Sequence, residues 1–179
     1  MEERIAKIII GTAGGTAGKG AKTYKISLPN VWVKELDLAD ENATVRLIFD
    51  GESIVIQPQL TVEEFLQRKL EKKHQLKRFS YYDGETLCTK IGADFTDQCV
   101  VIENFTDHLV KTAFGMNKTP SWVDFMNFLE ERCIPNGRGG LREYLEAIGV
   151  EKYDPVQIIE KTKGRMAEDD QWIETEDVR

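Results

Sequence analysis

An α+β fold is predicted for this chain of 179 residues. Short β-branched runs cluster in the first 58 residues. A second set of alternating runs spans residues 79–105. Capped amphipathic helices fill most of the chain beyond. Strands and helices that come in separate runs, without βαβ alternation, argue for α+β rather than a doubly wound sheet.

Each element has its own local signal. Residues 5–10, IAKIII, read as a strand, being short, β-branched and almost continuously apolar. GTAGGTAGKG, residues 11–20, holds five glycines and reads as a flexible loop. Lys25-Ile26-Ser27-Leu28-Pro29 alternates polar and apolar and stops at a proline, which lacks a ladder donor. Val31 to Leu38 is expected as a short amphipathic helix, and Ala43 to Phe49 as a strand. Asp50-Gly51 is a hairpin turn leading to a strand over Ser53 to Ile56, closed by Pro58. Thr61 with Glu64 three residues on is a capping box, opening a helix with Val62, Phe65, Leu66 and Leu70 on one face.

From Phe79, FSYYD, TLCTKI and CVVIENF are expected to form a three-stranded antiparallel meander, with a loop over Gly92 to Asp97. Ser121 and Asp124 cap a helix bearing Trp122, Phe125, Phe128 and Leu129. Leu141 to Ile148 is a helix stopped by Gly149. Asp154-Pro155 opens another that ends at Gly164. The domain reading is residues 1–59, a linker helix over 60–78, and an α+β domain over 79–179.

Composition excludes whole classes. With 41% hydrophobic and 31% charged residues, the balance is that of a globular protein, not a disordered or fibrous one. No apolar run approaches the ~18 residues of a membrane helix, so no membrane partner is expected. The start, MEERIAKIII, lacks the basic and long apolar regions of a signal peptide. Cys88, Cys99 and Cys133 are odd in number and have no C-x-x-C spacing, which disfavours a disulfide framework or zinc site. A cytoplasmic location is expected.

Charge is uneven. The chain carries −7, yet residues 1–34 hold six Lys or Arg against two acids, a balance of +4. Residues 91–179 hold ten against eighteen, a balance of −8. A basic end joined to an acidic remainder suggests a module that touches an anion beside one that does not.

Candidate chemistry is sparse, and no catalytic set, cofactor or metal site is assigned. The glycine-rich loop fails the P-loop pattern, because Gly18-Lys19 is followed by Gly20 and Ala13 stands where the first glycine belongs. His74 lies in a lysine-rich helix and reads as solvated, and His108 has no visible orienting partner. Cys133 beside Arg132 invites a lowered thiol pKa, while burial at a helix end argues for a structural cysteine. Glu168-Asp169-Asp170 lacks calcium-loop spacing and reads as a solvated acidic turn.

Residues 5–58 resemble the SpoVT/AbrB and MazE swapped-hairpin family of bacterial DNA-binding domains. The resemblance rests on Lys25 to Pro29, the Trp32 to Leu38 helix, Val45 to Gly51 and Ile54 to Pro58. It implies a homodimer of interleaved hairpins forming a β-barrel that neither chain completes alone. It also implies double-stranded DNA contact by basic residues of the first strands and loop. Lys25 matches the basic residue before the apolar-Pro strand end, and Lys7, Lys19 and Lys22 fall in the same basic region. The glycine-rich loop is longer than is usual in the family, and Ser27 stands where the MazE branch has arginine. The stretch from Lys161 to Ile173 resembles endings of small bacterial proteins in toxin–antitoxin neighbourhoods.

The expected function is a dimeric DNA-binding transcriptional regulator. It would be an antitoxin that represses its own operon and binds a protein toxin through its carboxy-terminal domain. The alternative is a dimeric adaptor that does not bind DNA and uses the barrel only to dimerise. An enzyme in residues 79–179 is a third reading, disfavoured by the missing catalytic set.

Overall fold

The computed structural model describes residues 2–12, 20–36, 38–39 and 43–179. The chain divides into two compact units, Met1–Gln59 and Leu60–Arg179. Among the described residues the architecture is mixed α+β, with five α-helices and three antiparallel sheets.

Unit 1 contains two hairpins and a short helix. Strand β1 (Ile9–Thr12) pairs antiparallel with β2 (Lys22–Lys25), Ile9 opposite Lys25 and Thr12 opposite Lys22. The strands lie later and earlier, respectively, than the apolar runs suggest. Cross-strand register decides the outcome: Gly11 and Thr12 gain ladder partners, while Ile26 to Pro29 lie outside any strand. Helix α1 (Asn30–Glu35) starts after Pro29, whose φ of −61° suits a helix entry. The Trp32 indole Nε1 donates to Glu2 at 2.6 Å, tying the amino-terminal residues to this helix. Strand β3 (Val45–Phe49) pairs antiparallel with β4 (Ile54–Pro58) around the Asp50-Gly51 turn. Asp50 accepts hydrogen bonds from the backbone of Glu52 and Ser53 and from the Ser53 hydroxyl, which pulls its carboxyl down to about 2. Each hairpin is a sheet of its own, and no closed barrel is seen among the described residues of the single chain.

Unit 2 is a four-stranded antiparallel sheet with helices on both faces. Strands β5 (Leu76–Asp83), β6 (Thr86–Asp94), β7 (Cys99–Asn104) and β8 (Gln171–Val178) stand in the order β7-β6-β5-β8. The structure corrects the sequence reading in two places. The meander has a fourth strand, because the carboxy-terminal segment returns to pair along β5, with Leu76 opposite Val178. The expected loop at Gly92 is strand as far as Asp94.

Helix α2 (Val62–Glu71) opens with the predicted Thr61–Glu64 capping box. Expected as a linker, it packs instead on the sheet of unit 2, where Val62, Phe65 and Leu66 close a small core with Leu76. Gly92 is what permits this. A Cβ there would stand 3.1–3.2 Å from Phe65, Leu66 and Val62. Gly92→Ala is expected to push α2 outward and to cost about 1–3 kcal/mol, read as a lower urea midpoint. An unchanged midpoint would refute the close approach.

The opposite face carries the main core. Phe79, Ile91 and Ile173 of the sheet meet Phe125, Phe128 and Leu129 of helix α3 (Trp122–Glu131) and Ile159 of α5 (Pro155–Thr162). Phe79–Phe125 and Tyr81–Phe128 are edge-to-face ring pairs. Helix α4 (Leu141–Ile148) adds a satellite core through Leu145, Val150 and Ile158. Ser121–Asp124 forms the second predicted capping box. Asp154 caps α5 by accepting from the N–H groups of Val156 and Gln157. No helix among the described residues is long and apolar enough to cross a membrane.

Candidate nucleic-acid interface

Of the residues expected to meet DNA, Lys22 and Lys25 lie on the β1–β2 ribbon. Side chains alternate across a strand, and directly paired residues share a face. Thr12 and Lys22 therefore share one face with Ile10 and Tyr24, while Ile9 and Lys25 share the other with Gly11 and Thr23. Lys22 and Lys25 point to opposite sides. Lys7 precedes β1. Lys7, Lys22 and Lys25 are all exposed, and none forms an ion pair with another described residue. Lys19 lies outside the described residues.

The β3–β4 hairpin has a different character. Val45, Leu47 and Phe49 of β3 share a face with Pro58, Ile56 and Ile54 of β4. All six side chains are apolar. Leu47 is 66% exposed and Phe49 is 71% exposed. Among the described residues of unit 1, no residue is buried. A pair of two-stranded sheets without a core is marginal in water.

Unit 2 holds two ionic centres that the sequence did not reveal. Asp94, at the end of β6, is 0% exposed. One carboxylate oxygen accepts from His74 Nδ1 at 2.7 Å and Lys69 Nζ at 2.9 Å. The other accepts from the backbone N–H groups of Thr96 and Asp97 at 2.9 and 3.1 Å. Burial raises its pKa, and these four donors outweigh that, leaving the carboxyl at about 2. His74 is thus a bonded, mostly covered residue rather than the solvated one expected. Its Nδ1 donates, since an ionised carboxylate only accepts.

His74, Asp94 and Asp97 also have the residue types of a metal centre, with ligand atoms within 4.8 Å of one another. Lys69 decides against that reading. Its ammonium lies 2.9 Å from Asp94 and 2.5 Å from Asp97, so the cation among the carboxylates is its own. The cluster pins the end of α2 to the β6–β7 turn.

The second centre is Arg132, 8% exposed at the end of α3. Its Nε donates to the Gly164 carbonyl at 3.0 Å. Its two terminal nitrogens grip both oxygens of Asp169 at 2.6 and 2.9 Å, and one also reaches the Gln171 carbonyl at 2.8 Å. The Gln171 side chain accepts from the Tyr81 hydroxyl. Asp169 is therefore a structural partner, although it, Glu168 and Asp170 are all exposed, as the solvated-turn reading expects. Cys133 beside it is not activated, because burial pushes its thiol up to about 12.

The sequence signals for these centres are faint. Asp94-Phe95-Thr96-Asp97 has the residues of an Asx turn between strands, but its partners Lys69 and His74 come from α2 and the residues just after it. Arg132 and Asp169 are separated by 37 residues. Compared with protein-family models, curated proteins and solved structures, the chain matches none.

Proposed function

We propose that the protein is a homodimeric DNA-binding transcriptional regulator, the antitoxin of a toxin–antitoxin pair, with DNA contact on unit 1 and a protein toxin bound by unit 2. The observation that carries this reading is the apolar face of the β3–β4 hairpin, on which Val45, Leu47, Phe49 and Ile54 are left exposed while Ile56 and Pro58 are half-buried. A second copy of the same hairpin pair supplies matching apolar faces, and interleaving the copies doubles the available core. The basic balance of residues 1–34 supports an anionic partner, with Lys7, Lys19, Lys22 and Lys25 neutralising phosphates. Contacts of that kind position a protein on DNA without reading bases. In the dimer each ribbon face recurs, so lysines on opposite faces of one ribbon can serve different phosphates.

The test uses the full chain. Sedimentation at micromolar concentration should give twice the monomer mass, and Phe49→Glu should give the monomer. A side chain 71% exposed in a true monomer would tolerate that change silently. Replacing Lys22 and Lys25 together by alanine should weaken binding to DNA from upstream of the gene by about 2 kcal/mol and flatten its salt dependence by about two phosphate contacts. A dimer whose DNA retention is unchanged in that double variant would overturn the assigned contacts.

The alternative, an adaptor that only dimerises through unit 1, is favoured by one observation. Unit 1 as a whole holds seven Lys or Arg against eight acids. A dimer without salt-dependent DNA binding would select it.

A further inference from the structure

Unit 2 has a groove of about 600 Å³ where α3 meets the start of α5. Its apolar wall is Phe95, Trp122, Met126, Tyr153, Pro155 and Val156. That volume lies within the range of about 300–1,000 Å³ of ligand pockets. The wall is held in place from behind. Trp122 packs edge-on against Phe95 with centroids 5.1 Å apart, and lies 5.2 Å from Phe125. Asp154 fixes the far wall through the first N–H groups of α5.

Two polar tips in this wall lack internal partners. Neither the Trp122 indole N–H nor the Tyr153 hydroxyl hydrogen-bonds to another described residue. An apolar floor with a few unspent polar groups is the usual composition of a recognition site.

The rim has a definite sign. Lys77 is held between Glu160 and Asp177, at 2.5 Å from each. Asp154 and Glu160 line the groove with Lys77, two carboxylates against one ammonium, while Asp177 lies outside the lining and also pairs with Arg179. The surroundings share that sign, since unit 2 holds seventeen Lys or Arg against twenty-three acids. An apolar floor inside a negative rim complements an apolar anchor flanked by cations.

We infer that this groove is the docking site on unit 2 for a partner's cationic peptide segment, with one bulky apolar or aromatic anchor seated against Trp122. The inference rests on the proposal that unit 2 binds a protein partner, and it names the place and the chemistry. The anchor fills the floor, and its flanking Lys or Arg side chains lie against Glu160 and Asp154.

The test is an anisotropy titration of the full chain with a fluorescein-labelled octapeptide carrying two arginines on either side of a Leu-Phe pair. Two control peptides replace the arginines by glutamates, or the Leu-Phe pair by glycines. Both controls should bind at least about tenfold more weakly. Trp122→Ala, which leaves the charge unchanged, should weaken the arginine peptide about tenfold, and Glu160→Lys by a similar factor. Glu160→Gln guards against a folding defect and should give a smaller loss at an unchanged melting temperature. Equal binding of all three peptides, or unchanged affinity in Trp122→Ala and Glu160→Lys, would overturn the groove. The DNA gel shift is read separately. Loss of the groove with DNA binding intact refutes only this inference. Peptide binding without DNA binding refutes the regulator and leaves the groove standing.

Discussion

Replacing Arg132 by alanine is expected to lower the unfolding free energy of unit 2 by about 3 kcal/mol. Arg132 joins three parts of the unit: the end of α3, the turn after α5 at Gly164, and the start of β8 at Asp169 and Gln171. Truncation strands two backbone carbonyls and a carboxylate in a mostly covered site, and unpaired buried groups carry their full desolvation cost. The partly exposed Asp169 can rehydrate, which keeps the effect at the lower end of the range for broken buried pairs. The melting temperature, followed by circular dichroism, should fall by about 10 °C for a unit of this size. Asp169→Asn keeps one acceptor for the guanidinium and should cost about 1 kcal/mol. Equal melting temperatures for parent and Arg132→Ala would mean that β8 is held by its ladder with β5 alone.

Asp94→Ala should cost about 3 kcal/mol at neutral pH, by leaving Lys69, His74 and two backbone N–H groups without their common acceptor. The pH dependence gives this prediction its sign. Burial opposes the charge on Asp94, but its four donors pull the carboxyl from the ordinary 3.8 to about 2 in the folded protein. A carboxyl depressed on folding stabilises the fold fully above its unfolded value. That stabilisation is lost as pH falls through the folded value. The parent should therefore lose about 2 kcal/mol between about pH 4 and about pH 2 through this residue. Asp94→Ala should show a correspondingly flatter acid limb in urea titrations over that window. An acid limb as steep as the parent's would place the titrating group elsewhere. Asp50 also sits at about 2, but in an exposed turn of unit 1. Its titration should leave the unfolding of unit 2 untouched.

Much of the local structure was legible in the residues themselves. The capping boxes at Thr61 and Ser121, the Asp154-Pro155 helix start, the Asp50-Gly51 turn and the stop at Gly149 are short-range chemistry, in which a side chain or a φ angle acts within a few residues. The α+β class came from the order of such signals. Tertiary structure decided what depends on distant partners. The acidic, polar segment from Gln171 to Val178 carries little strand signal, yet it becomes β8 because β5 offers it a free edge and Ile173 finds a place in the core. Gly92 reads locally as a loop residue, but it belongs to a strand because a helix lies directly over it. Asp94 and Arg132 look like surface charges until their partners, 20 and 37 residues away, close around them. The groove beside Trp122 exists only where α3 and α5 meet. Unit 1 marks the remaining limit: its alternating apolar residues specify hairpins and two-sided faces. Among the described residues of unit 1, none is buried against those faces, because a face with period-two apolar residues specifies its own side of a strand and not the surface that packs on it.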